Sequence, residues 1–314
     1  MTPETIRAWW WHRQGLGAEP TKLTPAAVLE RHGWLRSVGS CSPYLAMRAR
    51  GGVSRAAADA AVAAGEIREL PSARGCTYVV PASEYALALR AGAGSFAAGQ
   101  VAPAKKFCGV TDAELERLCD AVLAALGDGP RDPAELKAVL GGAVRNLGEA
   151  GKKRGVTTTL PLATGLLQSR GRVHRVPASG RLDQQRFSYA RWTPDPLAGA
   201  APPDDEVTLQ LARSFFRQAG PATAAQFAWW SGASAKAAKA AVAAICRVSC
   251  IVGRQLRRWS RSSCMAESRE SPVATRTTKH SPEPCRASYI STVPSPESLV
   301  LLLHAQHVRF HPPQ

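Results

Sequence analysis

The chain has 314 residues, 45% of them hydrophobic, which is enough for two or three domains with ordinary cores. Forty Lys and Arg against 24 Asp and Glu give a formal charge of +16 and a pI of about 10.0, a balance that favours polyanionic partners. No apolar run has the roughly 18 residues of a membrane span, acid and arginine interrupt the N-terminal apolar stretch as no signal peptide would, and the eight cysteines show no CxxC pair or other zinc-ligand spacing; the expectation is a cytoplasmic, nucleoid-associated monomer on double-stranded DNA, with no membrane, metal or cofactor.

The first predicted element is a helix carrying "WWWHR", Trp9 to Arg13. Three adjacent tryptophans point all around a helix, so one face cannot bury them all. One of them stacking on a DNA base is one reading. A helix wedged between domains is the preferred one. Helices are then predicted over 24–31, 43–50 and 54–64, followed by a hairpin over 67–81, where alternation meets a turn glycine. Ahead of the second helix, "GSCSP" reads as a start signal. Gly39 makes the turn, Ser40 or Ser42 caps, and Pro43 takes the first helical turn.

"GAGSFAAGQ", residues 92–100, lacks GxGxxG or GKT and reads as a linker. Further helices are predicted over 111–126, 132–140 and 157–170, with a second hairpin over 172–192. A third set follows at 204–219, 223–231 and 234–244. Trp229 and Trp230 lie inside it and are expected in the core.

These elements form a repeat. "SRAAADAAVAA" from Ser54 and "SAKAAKAAVAA" from Ser234 share a serine cap and an alanine-rich helix. "GPRDPAEL" from Gly129 and "GPATAAQF" from Gly220 share a Gly-Pro turn, a cap at Asp132 or Thr223, and Glu135 or Gln226 three residues on. Helix, turn, helix, turn, helix and hairpin make a winged helix. Its third helix enters the major groove and its hairpin lies along the backbone. The expected fold is therefore mainly α with small β-hairpins (α+β), in tandem winged-helix units at 1–100, 108–200 and 204–246, the third truncated.

From Arg247 the texture changes. The last 68 residues hold 10 of the 40 basic residues, 4 of the 24 acidic ones and 11 serines, which leaves +10 for the preceding chain. A disordered basic tail is one reading. The abruptness of the change, inside an incomplete unit, favours a shifted reading frame over 247–314.

The DNA-contacting candidates follow from these units. "KKR", Lys152, Lys153 and Arg154, precedes a helix start expected at Thr157, and both suit phosphate. Arg170, Arg172 and Arg175 follow on the same unit. Arg48 and Arg50 close the 43–50 helix, and Arg74 sits in the first hairpin. Arg55, Lys236 and Lys239, on the alanine-rich third helices, are the candidate base readers.

"GWLRSVG", "PYLAMRARGGVSRAAADAAV", "ELPSARGCTYVVPASEYALAL" and "ARSFFRQAGPATAAQFAWWSGASAKAAKAAV" resemble bacterial tandem winged-helix proteins of the AlkZ/YcaQ type, over most of 1–245. That family includes DNA glycosylases acting on alkylated bases and interstrand cross-links. The resemblance implies three winged helices around a concave, DNA-sized face. It also implies a Gln-x-Gln or Gln-x-Asp pair that orients water against the sugar. Here that pair falls on Gly39 and Cys41. Gly39 has no side chain and a thiol bonds weakly, so no catalytic residue is assigned and the pair's chemistry is expected to be missing. Cys41 as a nucleophile would need a partner base, and His32 is the only histidine close in sequence. Three functions stay open: a DNA-binding protein without base excision, a glycosylase using other residues, and a transcription regulator.

Overall fold

The computed structural model describes residues 2–16, 22–37, 40–199 and 202–246. Gly39 and the 247–314 tail lie outside the described residues. The described chain is mainly helical with two small antiparallel sheets.

Helix α1 (Pro3–Arg13) is the first element. Helix α2 (Pro25–His32) starts because Thr24 accepts from Ala27 N and Pro25 needs no partner for its nitrogen. Strand β1 (Leu35–Arg36) leads to α3 (Ser42–Gly51) and α4 (Arg55–Ala63), the latter capped by Ser54. Strands β2 (Ile67–Pro71) and β3 (Thr77–Pro81) form the expected hairpin. The short β1 pairs with the far strand, Leu35 opposite Val79, giving the order β1-β3-β2. Val28, Leu29, Met47, Ile67 and Val79 are fully buried beneath it.

Residues 92–100 are not a linker. Helix α5 (Tyr85–Phe96) runs through them, a single π-turn covers Ala97–Val101, and α6 (Ala102–Cys108) continues the rod. Gly92 serves helix packing. A Cβ on Gly92 would lie 2.8 Å from the Pro71 carbonyl oxygen, so only glycine lets α5 press against the β2–β3 turn. Helix α5 also touches the later helices α10 and α11, which makes it the hub of the molecule.

The second module has α7 (Asp112–Ala125), α8 (Pro133–Leu140), the short α9 (Gly148–Lys152), α10 (Leu160–Ser169), β4 (Val173–Pro177) and β5 (Phe187–Arg191). Arg131 bridges to Tyr189 on β5, repeating the β1–β3 pairing with one residue. Asp132 caps α8 as expected after the Gly-Pro turn, and Glu135 completes a capping box with it. The predicted helix start at Thr157 is corrected to Leu160. Thr158 is held in a β-bridge to Asn146, with Thr157 O accepting from Leu147 N and Thr159 N donating to Arg145 O, and the helical backbone begins only at the cap residue Thr159.

The third module has α11 (Asp204–Ala219), α12 (Ala224–Ser231) with a Thr223–Gln226 capping box, and a helix over 235–246, here α13. Phe215, Phe216, Phe227, Ala238 and Val242 form its core.

Candidate nucleic-acid interface

Cys41 is exposed at the start of α3 and makes no capping hydrogen bond. Ser40 does that work: its hydroxyl accepts from Ser42 N at 3.3 Å and contacts Ser42 Oγ at 2.9 Å. His32 is buried, with Nδ1 3.0 Å from the Arg13 carbonyl. It is committed to α1, and burial keeps it below its usual pKa. No Cys–His dyad forms. Among the described residues no group of three His, Cys, Asp or Glu is arranged to hold a metal.

The three third helices differ in what they leave free. Helix α4 presents Arg55, which ion-pairs with Asp183 of the loop between β4 and β5 and lies 5.0 Å over the Tyr44 ring. That loop is fastened to the first module. Leu182 is fully buried in the core under α4, and its N–H donates to the Tyr44 hydroxyl at 2.9 Å. Tyr44 in turn donates to Asp59. Burial, then the Asp59 bond, pushes the Tyr44 phenol up to about 12. Arg181 and then Arg55 hold the Asp183 carboxyl down to about 2.

Helix α10 is interior. It packs against α5 and α7, with Leu160, Leu162, Thr164, Leu167 and Gln168 buried. Helix α13 alone among the three keeps an outer face with free cations. Ala238, Ala241 and Val242 turn inward, while Lys236 and Lys239 are exposed with no acidic partner among the described residues.

The remaining predicted contacts divide in the same way. Arg48, Lys153 and Arg172 are exposed and lack an acidic partner among the described residues. Lys152 pairs with Glu149 at 2.7 Å. Arg170 grips Glu116 through two bonds of 2.6 and 2.8 Å. Arg154 lies 3.9 Å over Phe107. The Lys152–Arg154 cluster ends α9 rather than opening a helix, because the next helix begins only at Leu160. Arg50 is mostly withdrawn from solvent, and burial lowers its pKa.

Arg74, at φ 57° in the β2–β3 turn, lies 4.5 Å over Trp229. Trp229 is 66% exposed, so its expected burial is corrected: it stands on the outer side of α12. Trp230 does pack inward, 5.1 Å from Phe215 and 6.2 Å from Trp34. The expected wedging of helix α1 between domains is corrected: it buries no residue and rests by its C-terminal end on α11, with Gln14 donating to the Gln218 carbonyl at 2.8 Å and Arg13 to that of Arg217, while Trp10 and Trp11 face solvent.

Sequence reasoning missed one feature. A cleft of about 400 Å³ opens between the first module's α4 and β2 and the second module's β4. Arg68, Glu69, His174 and Arg175 line it. Arg68 Nη1 lies 3.1 Å from His174 Nδ1 and its guanidinium 5.7 Å from the Trp192 ring. Burial, then the Arg68 charge, lowers His174 to about 4. Burial raises Glu69, which accepts from the Ser37 hydroxyl. Only the consecutive charged pair at 68–69 and the "VHRV" of β4 hint at it, and nothing local says the two strands meet.

A family model described as DNA glycosylase AlkZ-like matches residues 40–279. The matched span runs farther than the resemblance over 1–245. Comparison with curated proteins finds no match. Among solved structures, the chain is similar to the Streptomyces sahachiroi DNA glycosylase AlkZ, with a TM-score of 0.59 and 19% identity over 78% of this chain. It spans 65% of that structure's chain.

Proposed function

The chain belongs to the AlkZ-like DNA glycosylase family, and on that premise we propose that it is a tandem winged-helix protein that binds double-stranded DNA as a monomer without excising bases through the usual pair. The modules are 1–100, 108–200 and 204–246, and the site of action is the nucleoid. One observation supports the reading: in the first module a helix, a short strand, two helices and a hairpin follow one another with the short strand paired to the hairpin's far strand, and in the second a helix, the single bridging residue Arg131 paired to the far strand β5, helices α8 to α10 and a hairpin follow in the same order. That connectivity is the winged-helix plan. DNA contact falls first to α13, through Lys236 and Lys239, with Arg48, Lys153 and Arg172 positioning the backbone.

Helix α10 is too buried to enter a groove, and α4 reaches one only if the 178–186 loop lifts. Base excision through the usual pair is absent because its positions are Gly39 and Cys41, and Cys41 has no base beside it. Fluorescence anisotropy with duplex DNA at two salt concentrations tests the binding. Weakening with salt is expected, and no binding at low salt overturns it. Incubation with alkylated and cross-linked duplexes tests the chemistry. No free base is expected, and release that survives Cys41→Ala would point to other residues.

A further inference from the structure

Resting on the DNA-binding reading, we propose that Trp229 is a stacking platform for an unpaired DNA base, with Arg74 and Arg36 supplying charge for the neighbouring phosphates. Trp229 is the most exposed large hydrophobic side chain among the described residues, at 66%. Its neighbour Trp230 packs into the third module's core, so α12 does not need Trp229 for packing. The ring is held from one side: the Arg74 guanidinium lies 4.5 Å over it, and the rest of the indole is open. Arg74 is also the one non-glycine residue at positive φ among the described residues, a backbone state that persists where the surroundings fix it. Part of those surroundings is the turn after α12. A Cβ on Gly232 would lie 3.2 Å from Arg74 Cγ, so glycine there leaves room for the arginine stem on its way to the indole.

The charge beside the ring is positive. Arg36 and Arg74 are exposed and have no acidic partner among the described residues. Arg36 stands opposite Tyr78 across β1 and β3, and the Tyr78 ring lies 6.4 Å from Trp230. Burial and then Cys76 raise the Tyr78 phenol, while Arg36 and Arg74 both pull it back, which places the two guanidiniums beside one hydroxyl. Stacking on the indole fixes Arg74 without neutralising it. A base inside an intact duplex is already stacked on its neighbours, so an unpaired one gains most from a new platform. A second copy of this chain fits poorly, because a two-fold contact through the patch would bring four arginines together, two from each copy. DNA held by α13 passes within reach. Trp229 and Lys236 are seven residues apart, at most about 25 Å even if extended, a span that a duplex covers in about seven base pairs.

The test is fluorescence anisotropy of the full chain with two labelled duplexes, one fully paired and one carrying a single bulged base. The wild-type chain should hold the bulged duplex about tenfold more tightly, the effect of one base–aromatic stack. Trp229→Ala should abolish that preference, and Trp229→Tyr should keep most of it. The readout is a ratio of two affinities, so misfolding, which lowers both, does not imitate it. With a fluorescent aminopurine as the bulged base, the wild-type chain should quench its emission more than Trp229→Ala does. Equal affinities in the wild-type chain, or a preference that survives Trp229→Ala, overturn the proposal. So does self-association that Trp229→Ala removes, which assigns the ring to a second copy. The two readings fail apart. A paired duplex left unbound, with the bulged one held through Trp229, sinks intact-duplex binding and spares this site. Equal and tight binding of both duplexes sinks this site alone, and binding of neither sinks both.

Discussion

His174 is neutral in the folded chain well below the pH at which an ordinary histidine protonates, because burial and the neighbouring Arg68 disfavour its charge. The unfolded chain takes up a proton at about 6.5 and the folded chain only at about 4. Between those values the unfolded state binds more protons, so stability falls as pH falls through the window, by up to about 3 kcal/mol. Glu69 and Glu84 have the opposite sign, since burial raises them and favours the protonated form. The comparison that isolates His174 is urea unfolding of the wild-type chain and His174→Gln at pH 7 and pH 4.5. The wild-type chain should lose more stability between the two. Leu182 poses a packing question at the same scale. Its side chain is fully enclosed by a module more than a hundred residues earlier in the chain, so Leu182→Ala should cost about 2–5 kcal/mol in chemical denaturation.

Helix α5 carries the argument at the scale of elements. Its Gly92 sits against the backbone of Pro71 and Ser72, with no flexible side chain to move aside. Gly92→Ala should therefore cost about 1–3 kcal/mol in thermal or chemical unfolding, despite alanine's better helix propensity. The loop between β4 and β5 decides what α4 can do. While Asp183 holds Arg55, that helix cannot offer its one cation to DNA. Asp183→Ala leaves Arg55 only its longer, 4.0 Å pair with Asp59 and should strengthen duplex binding at low salt, measured by anisotropy. Unchanged affinity would show that α4 stays off the DNA.

For the molecule as a whole, charge and exposure matter together. The chain carries +16, yet many of its arginines are spent on carboxylates or aromatic faces. The proposed contact surface is thus smaller than the charge suggests and is centred on α13. Replacing both Lys236 and Lys239 by Ala should weaken binding and reduce the slope of log affinity against log salt by about 2, one phosphate contact per lysine. A slope unchanged from wild type would remove α13 from the interface.

By itself the sequence determined the helix starts at Thr24, Ser54 and Asp132, both hairpins and the caps after the Gly-Pro turns, because caps, alternation and turn chemistry act within a few residues. It misread 92–100 as a linker, since a glycine that permits close helix packing looks the same locally as one that permits a turn. Tertiary structure alone decided which third helix stays open, why Trp229 faces outward, and that Arg55 meets Asp183 at a separation of 128 residues. The cleft belongs to that second group. Arg68 and His174 lie 106 residues apart, and only the packing of one module on another brings their charges into a shared, poorly solvated space where each alters the other.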